Sequence, residues 1–316
     1  MTIALISHLD CLLHEMGQHH LEQPARLRAI NDELIRTRLM DVLKSYQAPL
    51  ATREQLLRVH DEEYVNNIFQ ISPQTGLIVI DADTLMNPYS LIAALRSAGA
   101  GILAVDLVMS GEADAVFCNV RPPGHHAEKA KAMGFCFFNN VAVAAAHALE
   151  HHKLKRVAIV DFDVHHGNGT ENIFAHDERV LYCSSFQYPF YPFSGAKTKS
   201  KHILNIPLPA GTTGKIFRQK VEEQWLNQIE LFSPDMIFFS AGFDAYIKDE
   251  ISELMLVEED YAWVTAEVKK IADSVCKGRI VSMLEGGYEL KGLGRCVAAH
   301  IKALLDSAAQ PRYSSL

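Results

Sequence analysis

The stretch 157–169 reads VAIVDFDVHHGNG, an apolar run that changes abruptly into polar residues. A short continuous apolar run such as 157–160 is typical of a strand that is covered on both faces, as in a parallel sheet. Side chains alternate between the two faces of an extended segment, so Asp161, Asp163 and His165 can point into one site. The stretch therefore predicts a buried strand that ends at a cluster of polar side chains.

Similar apolar runs recur along the chain, separated by longer amphipathic segments. Strands are predicted at 115–118, 157–160, 180–183, 236–239 and 279–284, and helices near 88–109, 139–152, 213–231, 258–276 and 291–307. Asn87 and Pro88 are predicted as N-cap and first residue of the helix near 88–109. The first 70 residues are predicted to be mostly helical, with 24–43 as the longest amphipathic piece. This alternation predicts an α/β fold with an open, mostly parallel sheet and helices on both faces.

The length and even composition favour one domain over the whole range 1–316. The 316 residues contain no internal repeat, low-complexity tract or Ser/Gly linker that would mark a boundary. The net charge of −8 means that basic residues are not in excess, so direct binding of nucleic acid is not expected. We find no run of about 18 consecutive apolar residues, so a membrane span is not expected either.

The cysteines and the amino-terminal segment bear on location. Six cysteines are scattered without CxxC spacing, and a chain of this size does not need disulfides to fold. The first residues, MTIALISHLD, lack the basic segment and long apolar segment of a secretory signal. We therefore expect a cytoplasmic protein.

Polar residues follow four of the predicted strands. RPPGHH (121–126) follows the strand at 115–118, Asp244 follows that at 236–239, and EGGY (285–288) follows that at 279–284. Ligand sites in open α/β sheets lie at the carboxyl ends of the strands. The four strand ends should thus deliver histidine, aspartate and tyrosine to one edge.

The carboxylates and imidazole after residue 160 predict a metal site. A single aspartate at a strand end usually reaches solvent or caps a helix, but Asp161, Asp163 and His165 share a face, and Asp244 is available nearby. One imidazole and two carboxylates suit a divalent ion that activates water or polarises a carbonyl. Zinc is the first choice, and Fe²⁺ or Co²⁺ also fits these ligand types. His166, the next residue along, should face away from the site.

His125 and His126 are candidates for general acid and base. The preceding Pro-Pro-Gly turn is rigid, and imidazole titrates nearest to neutral pH. Paired histidines on loops are otherwise often solvated. Asp161 and Asn168 could each stand behind one histidine, and a carboxylate on one and an amide on the other would split their pKa values.

Three aromatic residues fall in loops bounded by glycine or proline. Tyr288 could donate a hydrogen bond to a developing oxyanion, although a packed aromatic beside a flexible turn has the same sequence. Phe135 and Tyr191 could wall a narrow channel for an apolar substrate stem, or belong to the core.

The motifs RPPGHH, GFCFFNN (134–140), DFDVHHGNGT (161–170), SAGFDA (240–245) and EGGY together resemble the zinc-dependent histone deacetylase superfamily. That superfamily includes acetylpolyamine amidohydrolases and acetoin-utilisation proteins, and the resemblance runs from about Ser7 to His300. Asn168 stands where class I members have aspartate, which is similar to class II and bacterial members.

The resemblance implies a role for each matching residue. It implies Asp163, His165 and Asp244 as zinc ligands, His125, His126 and Tyr288 as catalytic residues, and Asp161 and Asn168 as partners of the two histidines. It further implies Gly134, Phe135 and Tyr191 as the acyl-lysine tunnel and Asp83 as a rim residue. A structural K⁺ site is implied near Asp161, Asp163, His165, Ser185 and Phe186.

Two segments depart from the superfamily pattern. The chain has His20-Leu-Glu22 in place of His-Pro-Glu, and Asp249-Glu-Ile251 in place of Asp-Pro-Leu. Ile251 is therefore expected to reshape the tunnel wall and to affect the choice of substrate.

The leading expectation is a deacetylase acting on N-ε-acyl-lysine in a peptide or protein. The alternatives are a deacetylase of acetylated polyamines or other small amides, a ureohydrolase of the arginase type, and a non-catalytic acyl-lysine binding module. For a polyamine enzyme, Asp83, Glu250 or Glu285 could hold a second ammonium at the rim. The sequence leaves the oligomeric state open.

Overall fold

The computed structural model describes residues 1–306 and contains an eight-stranded sheet in which every neighbouring pair is parallel. The strands lie in the order β2-β1-β5-β10-β9-β6-β7-β8. Their bounds are β1 Ile3–Ser7, β2 Lys44–Gln47, β5 Ala115–Cys118, β6 Val157–Asp161, β7 Val180–Gln187, β8 Ile203–Leu208, β9 Met236–Ala241 and β10 Ile280–Leu284. β3 (Ile78–Val79) and β4 (Leu85–Met86) form a separate antiparallel pair.

Helices fill the connections between the strands. They are α1 Ala25–Arg36, α2 Arg53–Leu56, α3 Glu62–Ile71, α4 Ser90–Ser110, α5 Asn140–Glu150, α6 Asn168–Phe174, α7 Gly214–Val221, α8 Asn227–Phe232, α9 Glu258–Val275 and α10 Leu290–Leu305. Short 3-10 helices span Leu9–Leu12 and Leu39–Asp41, and a π-helical turn at Glu222–Leu226 joins α7 to α8.

The helices form a layer on each face of the sheet. Consecutive residues of β10 show this, because adjacent side chains of a strand point to opposite faces. Ser282 hydrogen-bonds through its hydroxyl to His300 of α10, whereas Met283 lies beside Gly101 of α4. α5 packs with α4 on one side, and α1 and α9 pack with α10 on the other. The predicted α/β fold, with an open parallel sheet and helices on both faces, is confirmed.

The predicted elements between 88 and 306 are present, most of them with small shifts of their ends, but the strand predicted at 180–183 continues to Gln187. The first 70 residues are a correction, because they contribute β1 and β2 to the sheet and are not mostly helical. β8 was also missed. β2 and β8 are edge strands, and both carry polar or proline residues that dilute the apolar pattern. Residues 307–316 of the predicted domain, and residue 307 of the predicted last helix, lie outside the described residues.

The predicted start of α4 is wrong by two residues. The helix begins at Ser90 with Tyr89 as its N-cap. Asn87 instead closes a turn before the helix, because its Oδ1 accepts hydrogen bonds from the Tyr89 amide (3.1 Å) and the Ser90 hydroxyl (2.9 Å).

α4 is long and apolar enough to cross a membrane by length and composition, with a mean hydropathy of 1.8 over its most apolar window. That window is 72% buried inside the fold, against α5, β5 and β10. The helix is therefore apolar because it is a core element of the α/β layers.

His300 gives the fold a pH dependence. Burial lowers its pKa to about 3, and its ring nitrogens lie 2.6 Å from the Thr265 hydroxyl and 2.9 Å from the Ser282 hydroxyl. The unfolded chain, with an ordinary histidine pKa of about 6.5, binds the proton more readily. The stability that His300 contributes is thus complete above pH 6.5 and is lost as the pH falls towards 3.

We expect the variant His300→Gln to lose stability less steeply than the wild type between pH 6.5 and 4.5. The difference in the free energy of unfolding should change by about 2–3 kcal/mol over this range, at about 1.4 kcal/mol per pH unit. Urea unfolding at several pH values measures it. Parallel curves for the two proteins would show that the His300 pKa is not lowered.

Candidate active site

Loops after β5, β6, β9 and β10 meet at one edge of the sheet, as the polar residues at the strand ends predicted. β6, β9 and β10 are neighbours, and β5 borders β10, so their carboxyl ends are adjacent. A pocket of about 170 Å³ opens there, and His125, His126, His165 and Tyr288 all line it. Segments that are far apart in the sequence thus supply one cavity.

Three side chains with metal-ligand atoms converge at this edge of the sheet, those of Asp163, His165 and Asp244. The Nδ1 atom of His165 lies 3.0 Å from Oδ1 of Asp163 and 3.2 Å from Oδ2 of Asp244. All three residues are buried, and one ligand atom from each lies within 4.8 Å of the others. Burying two carboxylates side by side is costly unless a cation compensates them.

The hydrogen bonds of the two carboxylates leave an oxygen free for such a cation. Gly286 N donates to Asp163 Oδ2 (2.8 Å), and Val164 N donates to Asp244 Oδ1 (2.9 Å). Oδ2 of Asp244 is buried and has no hydrogen-bond partner within residues 1–306. A Cβ on Gly286 would lie 2.1 Å from that oxygen, so only glycine leaves room beside it. The three residues therefore fit a divalent metal ion.

Asp161 does not belong to this group of metal ligands, because both of its carboxylate oxygens have other partners. Its Oδ2 lies 3.0 Å from Nδ1 of His125 and accepts a hydrogen bond from the Tyr182 hydroxyl (2.9 Å), while its Oδ1 accepts from Asp163 N (3.2 Å). Of the two carboxylates at the end of β6, Asp161 thus stands behind a histidine, and Asp163 belongs to the metal-ligand triad.

His125 and His126 lie side by side with opposite electrostatic surroundings. Burial opposes a charge on His125, but the carboxylates of Asp161 and Asp163 outweigh it and raise its pKa to about 10. Burial, together with the neighbouring His125 and His165, holds the pKa of His126 well below its usual range. His126 is therefore the neutral imidazole of the pair and can accept a proton.

Asn168 fixes which nitrogen of His126 is free. Its Oδ1 lies 2.8 Å from Nδ1 of His126, and its Nδ2 donates to Oε1 of Glu128 (2.8 Å). Because the amide oxygen can only accept, the proton of neutral His126 sits on Nδ1, and Nε2 carries the lone pair. Sequence reasoning missed Glu128, although it lies two residues after His126.

We expect Glu128→Ala to lower kcat/KM about 10–100-fold, the usual effect of removing a partner that orients an active-site group. Without Glu128, the Asn168 amide can rotate and offer nitrogen to His126. Steady-state kinetics on an acetyl-lysine peptide measures the loss, with bound metal quantified in parallel. Glu128→Gln is the matched control, because its side-chain oxygen can still accept, and it should retain most activity. Equal losses in both variants would contradict an orienting role.

Tyr288 is held by a loop whose backbone is anchored on both sides. Asp249 Oδ2 accepts hydrogen bonds from the amides of Tyr288 (2.6 Å) and Glu289 (3.1 Å). Arg26 donates to the Gly287 carbonyl (2.7 Å), and its guanidinium lies 5.0 Å from the Tyr288 ring centre. Burial raises the pKa of Tyr288 well above its usual value, so its phenol stays protonated and can donate a hydrogen bond.

The pocket walls are mostly aromatic and apolar. Asp83, Gly134, Phe135, Tyr191 and Ile251, the five residues expected to contact substrate, all line it, together with Phe190, Pro123 and Gly286. Phe190, which sequence reasoning missed, stacks on His165 with ring centres 5.4 Å apart. Its position in a run of aromatics next to Tyr191 was the available signal.

Gly134 brings the wall close to the catalytic histidines. It adopts a φ of 57°, and a Cβ at this position would lie 2.3 Å from Cδ2 of His126. Asp83 Oδ1 accepts a hydrogen bond from the Gly134 amide (3.1 Å), which ties the rim to this turn. Both the backbone conformation and the lack of space for a side chain therefore require glycine at this position.

Glu285 cannot serve as an acidic rim group, contrary to one of the expectations. It is 0% exposed, and its Oε2 accepts hydrogen bonds from the amides of Gly124 (2.7 Å) and His125 (3.1 Å). It therefore anchors the histidine loop to the end of β10. Glu250 is exposed, and Asp83 is partly exposed.

The remaining predicted residues lie around β6 and β7. Ser185 and Phe186 follow Ser184, which pairs with Asp161 in the sheet, and the K⁺ site near them stays a prediction. His166 lies outside the pocket, with Nδ1 3.0 Å from the Ser184 hydroxyl and Nε2 2.8 Å from Glu171.

A fully buried ion cluster lies next to the loops that form the pocket. It was not predicted from the sequence. Glu22 pairs with both Arg121 and Arg26, and all three side chains are 0% exposed. Burial would raise the pKa of Glu22, but the guanidinium of Arg121 holds it well below its usual range. Arg121 also donates to the carbonyls of Cys11 (2.8 Å) and His14 (3.1 Å), so the cluster joins the amino-terminal segment to the RPPGHH loop.

We expect Glu22→Gln to lower the free energy of unfolding by about 3–5 kcal/mol, because it leaves two buried guanidinium groups without a counter-charge. Urea unfolding provides the measurement. Glu33→Gln is the matched control, since Glu33 pairs with Arg36 on the surface of α1, and its effect should be far smaller. Similar changes in both variants would contradict this reading of the cluster.

The fold and this pocket define an α/β protein in which a metal-ligand triad lies beside a histidine pair and a tyrosine. Residues 20–304 match the family model of the histone deacetylase domain. A histone deacetylase-like amidohydrolase of Pseudomonas aeruginosa is 35% identical over 93% of the chain and 83% of its own length. The polyamine deacetylase HDAC10 of Homo sapiens is 34% identical over 98% of the chain, which spans 49% of that relative.

A solved structure agrees with these sequence relatives. The crystal structure of the HDA15 HD domain superposes with a TM-score of 0.89 at 33% identity, over 96% of this chain and 88% of that one. The protein therefore belongs to the histone deacetylase family. It is a hydrolase of the deacetylase type, and the family is metal-dependent.

Proposed function

We propose that the protein is a zinc-dependent deacetylase that removes acetyl groups from N-ε-acyl-lysine side chains of peptides or proteins. The observation that carries this proposal is the narrow, aromatic-walled pocket that leads to the metal-ligand triad. Such a pocket suits the apolar four-carbon stem of a lysine with its amide at the inner end. Asp83 is the one acidic residue among the pocket-lining residues and fits a rim contact to the substrate backbone.

The residues of the pocket suit amide hydrolysis by water. A zinc ion held by Asp163, His165 and Asp244 would polarise the amide carbonyl and lower the pKa of a water. Nε2 of His126 would take a proton from the attacking water, and the Tyr288 phenol would donate a hydrogen bond to the developing oxyanion. His126 would then return this proton to the leaving nitrogen as the carbon–nitrogen bond breaks. The acyl group leaves as a carboxylic acid, whose proton passes to the amine, so the products at neutral pH are a carboxylate and an ammonium group. His125, hydrogen-bonded to Asp161, holds positive charge beside this exchange.

Acetylated polyamines are the second candidate, favoured by the similarity to the human polyamine deacetylase. A polyamine carries further ammonium groups, which need acidic partners along the pocket. Ile251 supplies an apolar wall instead, and Glu285 is buried and committed to backbone amides. These contacts favour acyl-lysine as the substrate.

A ureohydrolase and a non-catalytic binding module receive less support. A ureohydrolase would bind two metal ions, and within residues 1–306 no other His, Cys, Asp or Glu joins the Asp163, His165, Asp244 group. A binding module without activity would not need the histidine pair and tyrosine that line this pocket. We further propose a cytoplasmic location, since all six cysteines are free and buried.

A panel of substrates tests the proposal. Acetyl-lysine peptides, longer acyl-lysine peptides, acetylputrescine and acetylspermidine would be ranked by kcat/KM, each with and without a chelator. We expect the acetyl-lysine peptides to rank first and the chelator to abolish turnover. Higher kcat/KM on the acetylated polyamines would overturn the substrate assignment, and turnover that survives metal removal would overturn the metal dependence.

A further inference from the structure

A second group of metal-ligand side chains lies away from the pocket, where α4 meets the end of α5. It consists of Asp106 on α4, His147 on α5, and His151 and His152 just after α5. One ligand atom from each of the four residues lies within 4.8 Å of the others. We propose that this Asp106–His152 cluster is a second binding site for zinc or a similar divalent transition-metal ion.

The geometry of the cluster is already close to that of a shared ligand set. Oδ1 of Asp106 lies 2.8 Å from Nε2 of His147 and 2.7 Å from Nε2 of His152. The ring centres of His147 and His151 are 4.7 Å apart, one helical turn from each other. An ion at the centre would replace the protons that Asp106 now shares with two imidazoles.

The types of ligand select the ion. Three imidazole nitrogens and one carboxylate oxygen suit tetrahedral zinc, and Co²⁺, Ni²⁺ and Cu²⁺ also favour imidazole. Four protein ligands fill a tetrahedral shell and leave no position for substrate. The site is thus structural, and it would fasten α4 to the end of α5.

The cluster lies at the opposite edge of the sheet from the pocket. α5 begins beside the pocket, because the side chain of Asn139, its N-cap, donates to the Ala127 carbonyl (3.1 Å). The helix then runs away over 11 residues, a length of about 16 Å. The two sites therefore cannot share an ion.

Exposure allows an ion to reach the cluster while His147 stays packed. The side chain of His147 is 4% exposed, that of His152 is 21% exposed and that of Asp106 is 45% exposed, and His151 lies at the surface. The buried imidazole provides a fixed ligand, and the outer residues can adjust around the ion. This combination separates the cluster from a set of solvated surface histidines.

Arg58 competes with the ion. Its guanidinium lies 2.9 Å from Nδ1 of His147 and can only donate there. When Nε2 of His147 binds a metal, Nδ1 must carry the proton, and two donors would then face each other. Arg58 must swing away on metal binding, and its NH2 already lies 4.0 Å from Glu54. Removing the guanidinium should therefore strengthen metal binding.

Counting bound zinc tests the proposal. The full chain, stripped with a chelator and dialysed against zinc, is expected to hold two zinc ions per chain. The double variant His151→Gln/His152→Gln should hold one, keep its deacetylase activity, and bind zinc at the second site at least about tenfold more weakly. Arg58→Ala should bind it more tightly than the wild type. The melting temperature should rise with added zinc beyond the first equivalent in the wild type and in Arg58→Ala, but not in the double variant.

A second measurement separates this site from the catalytic one. In Asp244→Ala, Co²⁺ should still bind and give the visible absorption of a tetrahedral complex, and the further change of His152→Gln should remove that absorption. One zinc per chain in both the wild type and the double variant would overturn the proposal. Two zinc ions in both proteins would overturn it as well, because the second ion would then lie elsewhere.

Discussion

Tyr288→Phe should lower kcat by about 10²–10³, the scale for losing one hydrogen-bond donor to an oxyanion. The phenol lines the pocket, and burial keeps it protonated by raising its pKa well above the usual value. Phenylalanine retains the ring, which packs edge-on against Phe135 with centres 6.1 Å apart. The substitution therefore removes the hydroxyl and little else, and KM should change far less than kcat.

Single-turnover and steady-state kinetics on an acetyl-lysine peptide measure this effect. Tyr191→Phe is the matched control, since it removes another phenol from the same pocket and should have a small effect on kcat. Metal content and melting temperature should match the wild type in both variants. An unchanged kcat in Tyr288→Phe would remove the tyrosine from the chemistry.

Asp244→Ala should abolish metal binding at the pocket, and turnover with it. The carboxylate offers an unpartnered, buried oxygen beside His165, and alanine offers no ligand atom. Two remaining ligands, Asp163 and His165, are too few for a stable catalytic zinc site, which typically has about three protein ligands. Elemental analysis should show one metal ion fewer per chain than in the wild type.

Asp83→Ala is the control for the loss of an acidic group from the same pocket. Asp83 lines the cavity but lies outside the triad, so this variant should keep its full metal content. If Asp244→Ala keeps the same metal content as the wild type, Asp244 is not a ligand. Near-ultraviolet circular dichroism would check that each variant retains its fold.

The parallel core of the fold could be predicted because its strands are almost purely apolar. Four strands are buried on both faces, namely β5, β6, β9 and β10. A nearly continuous apolar run is the sequence pattern typical of such strands. The edges could not be predicted in the same way. β2 reads KSYQ and is largely exposed, so its place in the sheet depends on backbone pairing with β1 and not on burial of its side chains.

Some residues of the candidate site could be predicted from the sequence, and others could not. Residues such as Asp163 and His165 lie two positions apart just after β6, in a bend where Asp163 Oδ1 accepts a hydrogen bond from His165 N (2.9 Å), so local structure brings them together. Glu22 and Arg121 lie 99 residues apart and meet only through tertiary packing. The sequence offers Glu285 as one of three possible rim acids for a polyamine enzyme, because it does not distinguish an acid in solvent from one buried against two backbone amides.

The buried carboxylates also limit how this protein can diversify. Glu22, Asp249 and Glu285 each fix a loop to a different part of the chain, so the loops cannot be exchanged with those of relatives one at a time. Grafting the EGGY loop alone, for example, would separate it from its anchor in Asp249. New substrate preferences should therefore arise by single changes at wall positions such as Ile251 and Phe190, whose apolar side chains anchor no loop by hydrogen bonds.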